Sequence, residues 1–179
     1  MKYPVLALAL FGSLSTLQPA VAGKFATCDE FRARLPQAEK VLKMPVPKIT
    51  FNDEGTVADL HDFSIPDLQN FTADLRCLTN GSFSSLQIQQ VDRDPYSAKR
   101  FVALATASVW AYTGWSQDKI KEVLKHLAKE SNQNLEASAI RGDKIKDGRA
   151  DYELDPDGNL QMSGGETGLW FMIDASAEK

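Results

Sequence analysis

The sequence predicts an α+β domain: an antiparallel sheet of hairpins and a C-terminal three-stranded meander, with an N-terminal helix and a central helix pair packed on one face. Two observations predict this class. Short alternations of apolar and polar residues flank turn residues in three places, as antiparallel strands do. Between the second and third of these places, two adjoining segments show helical periodicity with capping residues at their ends. The predicted order is helix, hairpin, hairpin, helix pair and meander.

The strongest strand signal is the sequence Asn80-Gly81, which predicts a type I′ hairpin turn because both residues tolerate positive φ. Pairing outward from this turn places Leu75 opposite Leu86 and Cys77 opposite Ser84. One face of the hairpin is then apolar, as a face packed on a core should be. A weaker hairpin is predicted over residues 48–63, around a turn at residues 53–55.

The central helix pair is delimited by capping residues. Asp94 is the predicted N-cap of the first helix, Pro95 its first residue and Gly114 its C-terminal cap. Ser116 caps the second helix over residues 117–130, whose apolar residues recur at i, i+3, i+4, i+7 and i+8. An earlier segment, residues 28–43, is predicted to be helical in parts despite Pro36.

The stretch "DPDGNLQMSGGE" at residues 155–166 has the oxygen-ligand spacing of an EF-hand calcium loop. However, position six of the loop is Leu160, where that loop requires glycine. Read as strands, the same residues pair Leu154 with Leu160 and Tyr152 with Met162, and a turn at residues 164–165 leads into a third strand. We therefore predict a meander and no metal; the alternatives are an EF-like site and weak calcium binding by the acidic outer face.

The first 22 residues have the features of a cleavable signal peptide. Lys2 precedes the apolar run "PVLALALFGSL", and residues 20–22 form a small-x-small cleavage sequence. The run is shorter than the ~20 residues that a membrane-spanning helix needs. We expect a cleaved leader over 1–22, a single globular domain over 23–179, a periplasmic or secreted location, and no stable membrane insertion after cleavage. The alternative is a retained membrane anchor.

Cys28 and Cys77 are the two cysteines of the chain. In an exported protein they predict one structural disulfide. Closing a loop of this length stabilises by roughly 4 kcal/mol in the chain-entropy model. Free thiols and an intermolecular bridge are the alternatives.

Charge excludes one class of partner. The chain has 24 acidic and 20 basic residues, intermixed along its length, and a formal net charge of -4. A nucleic-acid partner would require clustered basic residues to meet its phosphates, so we expect no nucleic-acid binding.

Candidate catalytic residues are few. His61 and Asp62, near Asp59, are the candidate acid–base groups, while His126 is predicted to be a solvated residue on the second helix of the pair. The tryptophans could form a sugar-stacking platform, but core positions are the commoner role; they are Trp110, Trp115 and Trp170. No phosphate-binding glycine loop, dinucleotide fingerprint or nucleophile motif is present, so we expect no cofactor.

These observations favour a small exported non-catalytic binding or accessory protein, with a possible protein partner in the exported compartment. The alternative is a small hydrolase acting on cell-wall or extracellular polymer, with His61 and an acidic residue as its acid–base groups. A pocket that gathers His61, acidic residues and an exposed tryptophan would favour the enzyme. A flat apolar patch would favour a partner surface.

Overall fold

Seven strands form one antiparallel sheet in the part of the chain that the structure, a computed structural model, describes: residues 26–52, 60–64, 71–91, 94–143, 148–154, 158–165 and 168–175. The strands are β1 (Thr50–Asn52), β2 (Leu60–Ser64), β3 (Phe71–Cys77), β4 (Phe83–Gln90), β5 (Ala150–Leu154), β6 (Gly158–Gly165) and β7 (Gly168–Asp174). Their order across the sheet is β1-β2-β3-β4-β7-β6-β5. The predicted leader and its cleavage point, like the turn at residues 53–55, lie outside the described residues.

Helices cover one face of this sheet. They are α1 (Cys28–Arg34), α2 (Ala38–Leu42), α3 (Pro95–Thr113) and α4 (Gln117–Arg141), with a single 3-10 turn (Leu35–Gln37) joining the first two. The side chains beneath them are fully buried and lie in register across the central strands; they are Leu75, Leu86, Ile88, Phe171, Ile173 and Leu160. The predicted α+β class, with a hairpin sheet, a C-terminal meander and helices on one face, is confirmed.

The other face of the sheet is polar. One register row across β3, β4, β7, β6 and β5 reads Asp74, Gln87, Met172, Gln161 and Asp151. Alternation of apolar and polar residues along each strand produces this division, because successive side chains of a strand point to opposite faces.

The caps of α3 act as the sequence predicts. Asp94 Oδ1 accepts hydrogen bonds from the backbone N–H groups of Tyr96 (2.9 Å) and Ser97 (3.0 Å), and the helix ends where Gly114 takes φ 70°. Hydrogen bonds from Ser97, first from its side chain and then from its backbone, hold the pKa of the Asp94 carboxyl below its ordinary value.

Helix α4 begins at its predicted cap, Ser116, but is longer than predicted. It runs past residue 130 to Arg141, because no glycine or proline interrupts residues 131–141. Gly142 then adopts φ 75° and ends the helix. Beyond it, Ser138 Oγ donates to Asp143 Oδ2 (2.9 Å) and Arg141 pairs with the same carboxylate, which lowers the pKa of Asp143.

The segment around Pro36 is helical in parts, as predicted. A reciprocal capping box between Thr27 and Glu30 starts α1. Pro36 lies in the 3-10 turn, where its missing N–H interrupts the α-helical hydrogen bonds, and α2 ends at Lys43 in the left-handed region (φ 51°).

The β3–β4 hairpin has the predicted pairing near its middle but a different turn. Leu75 pairs with Leu86 as expected, whereas Cys77 pairs with Phe83 instead of Ser84 because the register shifts beside the turn. Gly81 has φ 83°, but Asn80 is not in the positive-φ region, so the turn is not type I′. Gly81 N–H instead bonds to the carbonyl of Leu78 (2.8 Å), and the extra residue forms a bulge.

The C-terminal meander is present with two changes of register. Leu160 pairs with Tyr152 instead of Leu154, and β6 continues through the predicted turn at residues 164–165. Gly165 therefore pairs with Gly168, whose φ of 109° closes the connection between β6 and β7. Leu160 is fully buried, so the calcium-like stretch contributes a core strand. Residues 155–157 and 166–167 lie outside the described residues.

One disulfide joins Cys28 at the start of α1 to Cys77 at the end of β3, with Cα atoms 5.8 Å apart. The predicted bridge is thereby confirmed. No helix among the described residues combines the length and the apolar composition that crossing a bilayer would require.

Candidate functional site

The layer between helices and sheet is filled at one end by aromatic rings. The Phe83 ring lies 5.2 Å from the Phe31 ring and 4.5 Å from the Tyr112 ring, centroid to centroid. Next to them is the disulfide, and the backbone N–H of Ala26 donates to the carbonyl of Tyr112 (2.9 Å). We call this region the sealed end of the layer.

At the other end of the layer, α3 and α4 separate over β6 and β7 and leave a cleft of about 420 Å³. The described residues that line it come from both helices and both strands; they are Phe101, Val102, Ala105, Thr106, Lys121, Leu124, Lys125, Ala128, Ser131, Asn132, Met162, Ser163, Gly164 and Leu169. This volume is within the range of small-molecule sites, roughly 300–1,000 Å³.

Small residues keep the cleft open. Ala128 on α4 and Gly164 on β6 are partly exposed and line the cleft with little side-chain volume, while Ala105 on α3 is fully buried in its wall. A methyl group built on Gly164 would meet its nearest neighbours, Ser131 Oγ and Leu169 Cδ2, at 3.8 and 3.9 Å, which is ordinary van der Waals contact. The floor of the cleft is therefore not closed by tight packing.

Two buried hydroxyl groups of the cleft lining already make hydrogen bonds within the protein. Ser131 Oγ accepts a hydrogen bond from the backbone N–H of Gly164 (3.0 Å), which ties α4 to β6. Thr106 Oγ1 donates to the carbonyl of Val102 one turn earlier (2.7 Å). Each hydroxyl already makes a hydrogen bond within the protein. An apolar ligand beside them would therefore not leave a polar group without a partner.

Two lysines supply the charge of the cleft. Lys121 and Lys125 are exposed and lie one turn apart on α4, so they share one side of the helix. Within the described residues, neither ammonium group has a carboxylate within ion-pair distance. The described lining contains no acidic residue, so its charge is positive.

The predicted acid–base residues lie on β2, away from these lining residues in the sheet order. His61 pairs in register with Leu75, and Asp62 pairs with Asp74. Consecutive strand positions belong to opposite faces of a sheet. The side chains of His61 and Asp62 are outside the described part of the structure, so their catalytic role stays a prediction.

The three tryptophans do not share one platform. Trp115 contacts Tyr152 edge to face (centroids 6.3 Å apart), on the helix-covered side of the sheet. Trp170 pairs with Gln89 and Ser163, in a row of the polar face. Trp110 packs partly buried against the core, so a common sugar-stacking surface is not formed.

His126 lies on the exposed side of α4, as predicted. Its side chain is 61% exposed, with Nε2 3.5 Å from a carboxylate oxygen of Glu130. The ring also stands edge-on to Tyr152, with centroids 6.4 Å apart. Among the residues that the structure describes, no three histidine, cysteine or acidic side chains form a group able to hold a metal ion.

The cleft is not predicted from the sequence, although the small residues of α3 are a signal related to it. The run of small residues in α3 predicts close packing against another element, and most of α3 does pack closely. Ala105 is itself fully buried in the wall of the cleft, and the other walls come from elements distant in sequence.

Comparison with known proteins adds no relative: no family model matches the chain, and neither the curated proteins nor the solved structures searched contain a match to it.

Proposed function

We propose that this chain is a small non-catalytic binding protein of the periplasm or the extracellular medium, and that the cleft between α3 and α4 holds its ligand. The observation that carries the proposal is the cleft itself. It has apolar walls from both helices and the sheet, and charged groups at its border. Ligand sites typically combine such a largely preformed apolar concavity with a few polar groups.

The chemistry of the lining favours binding. Among its described residues the ionisable side chains are Lys121 and Lys125, both exposed to water. A few charged groups beside an apolar concavity fix the orientation of a bound ligand. These two residues are therefore suited to attract a ligand and hold it.

The disulfide between Cys28 and Cys77 supports the proposed compartment, since such bonds persist in oxidising surroundings outside the cytoplasm. The protein partner expected from the sequence is independent of the cleft and stays a prediction.

A neutral naphthylamine dye, which fluoresces in apolar surroundings, tests the binding site. We expect saturable, one-to-one binding to the purified protein with its disulfide intact. Ala128→Leu should weaken this binding, because the larger side chain occupies the space beside Leu124 and Met162.

Ala139→Leu is the matched control: it makes the same change on α4 at an exposed position outside the cleft lining. It should bind the dye like the parent. Absence of saturable binding by the parent would overturn the proposal. Equal binding by the parent and Ala128→Leu, with both proteins folded by circular dichroism, would place the dye elsewhere and overturn it too.

A further inference from the structure

The charge and shape of the cleft point to a ligand class. We propose that it takes a single-chain alkyl anion, such as a medium-chain fatty carboxylate, with the chain between α3 and the sheet and the head group at Lys121 and Lys125. This inference rests on the proposed function and specifies its ligand.

The head group is assigned from the lysines. Like charges one turn apart on a helix repel each other and weaken the helix. An anion placed between Lys121 and Lys125 replaces this repulsion with two attractions. Since the described lining has no acidic residue, nothing in it competes with the ligand for these ammonium groups.

The chain is assigned from the walls. Phe101, Leu124, Met162 and Leu169 present apolar surface from four different elements. The deeper hydroxyls, on Thr106 and Ser131, already have hydrogen-bond partners in the protein. A ligand rich in hydroxyl groups would find few free partners there, whereas a hydrocarbon chain needs none.

Volume limits the length of the chain. At roughly 30 Å³ for each water-sized group, a cleft of about 420 Å³ holds about fourteen non-hydrogen atoms. This corresponds to a carboxylate with a chain of roughly twelve carbons. Longer chains would have to leave the cleft, so their added methylene groups should contribute little to affinity.

The test compares three ligands with the same chain: dodecanoate, dodecanol and dodecyltrimethylammonium. Each is titrated, below its micelle concentration, against the protein carrying the neutral dye. We expect dodecanoate to bind roughly tenfold more tightly than dodecanol, since exposed ion pairs contribute modestly, and the cationic ligand to bind most weakly. The advantage of dodecanoate should shrink in high salt.

The double variant Lys121→Gln with Lys125→Gln should remove the preference for dodecanoate over dodecanol. Lys129→Gln, one turn further along α4 and outside the cleft lining, should keep the preference. A preference that survives in the double variant would overturn the inference.

The two proposals fail in different ways. If the dye binds and the carboxylate and the alcohol displace it equally, the binding function stands and the assignment to an anion is wrong. If neither the dye nor any of the three ligands binds, both proposals are wrong.

Discussion

The two ends of the helix–sheet layer are built from the same helix and differ in what they pack against it. At the sealed end, Tyr112 of α3 meets the ring of Phe83 at 4.5 Å, beside the disulfide. At the cleft end, roughly 15 Å away along the helix axis, Val102 lines the cleft and is half exposed. The difference teaches that aromatic side chains fill the layer beside one end of α3, next to a disulfide between α1 and β3, and leave a cleft beside the other end.

This arrangement separates the closely packed end of the layer from the proposed binding site. The aromatic rings and the disulfide belong to elements that contribute no lining residue to the cleft, with the exception of α3. Changes at the sealed end should therefore reduce stability with little effect on the cleft, and changes to the exposed side chains of the cleft lining should affect binding with little effect on stability.

The largest expected difference in stability between the two ends concerns two fully buried phenylalanines, each replaced by alanine. Phe31→Ala, at the sealed end, should lower the free energy of unfolding by about 3–5 kcal/mol, because the packed layer cannot collapse into the cavity. Phe101→Ala should cost less, since the space it leaves opens into the cleft and water can enter. Urea denaturation of both variants measures the difference. Equal losses would show that the two ends are packed alike.

Removal of the disulfide is expected to have the next largest effect. Cys28→Ser with Cys77→Ser should destabilise by about 2–4 kcal/mol, because the two positions are 49 apart in the sequence and the unfolded chain gains freedom. Dye binding should not change while the variant is folded. A loss of affinity under those conditions would mean that the bond also positions the cleft.

Two glycines with positive φ, one near each end of the layer, should differ less in how much stability is lost when each is replaced by alanine. A side chain at Gly168, near the cleft, would collide with the backbone carbonyl of Gln90, whereas one at Gly81, near the disulfide, would meet nothing within 4 Å. Gly81→Ala should cost about 1 kcal/mol from backbone strain alone. Gly168→Ala should cost more, about 3 kcal/mol, since the β4–β7 pairing must shift as well. Thermal melts of the two variants would show whether this order holds.

The smallest expected effect concerns the N-cap of α3, next to the cleft end. The lowered pKa of Asp94 means that its carboxylate stabilises the folded state. This contribution is fully present above the ordinary value of 3.8 and is lost as the pH falls through the lowered value. Asp94→Ala should therefore melt below the parent at neutral pH, and the gap should narrow in acid.

Asp94→Asn is the control for this titration, because asparagine also caps helices but has no proton to gain. Its melting temperature should exceed that of the alanine variant at every pH. If the difference in melting temperature between the parent and Asp94→Ala stays constant as the pH falls, the charge of Asp94 is not involved.

Local signals predicted much of the fold. Asp94, Gly114 and Ser116 mark their helix ends because capping depends on a few neighbouring atoms. Turn geometry was predicted less well. Residues 164–165 do not form the last turn, because they are still paired with β7. The pairing of β6 with β7 continues to Gly165 and Gly168.

The cleft could not be predicted because it has no local signal. Ala128 and Gly164 resemble the small residues of any closely packed interface, and only the arrangement of α3, α4, β6 and β7 makes them part of a cleft lining. Lys121 and Lys125 likewise look like ordinary solvated lysines until the apolar surface beside them is known.

Strand β5 forms one margin of the sheet, where its backbone could pair with another chain. Its exposed residues Asp151 and Glu153 are acidic, and Arg149 pairs with Asp151 at 3.3 Å. Charge on a marginal strand discourages pairing between molecules, because two such strands would bring like charges together. At high concentration the protein should resist polymerisation through this margin, and neutralising both acids should make it prone to aggregate.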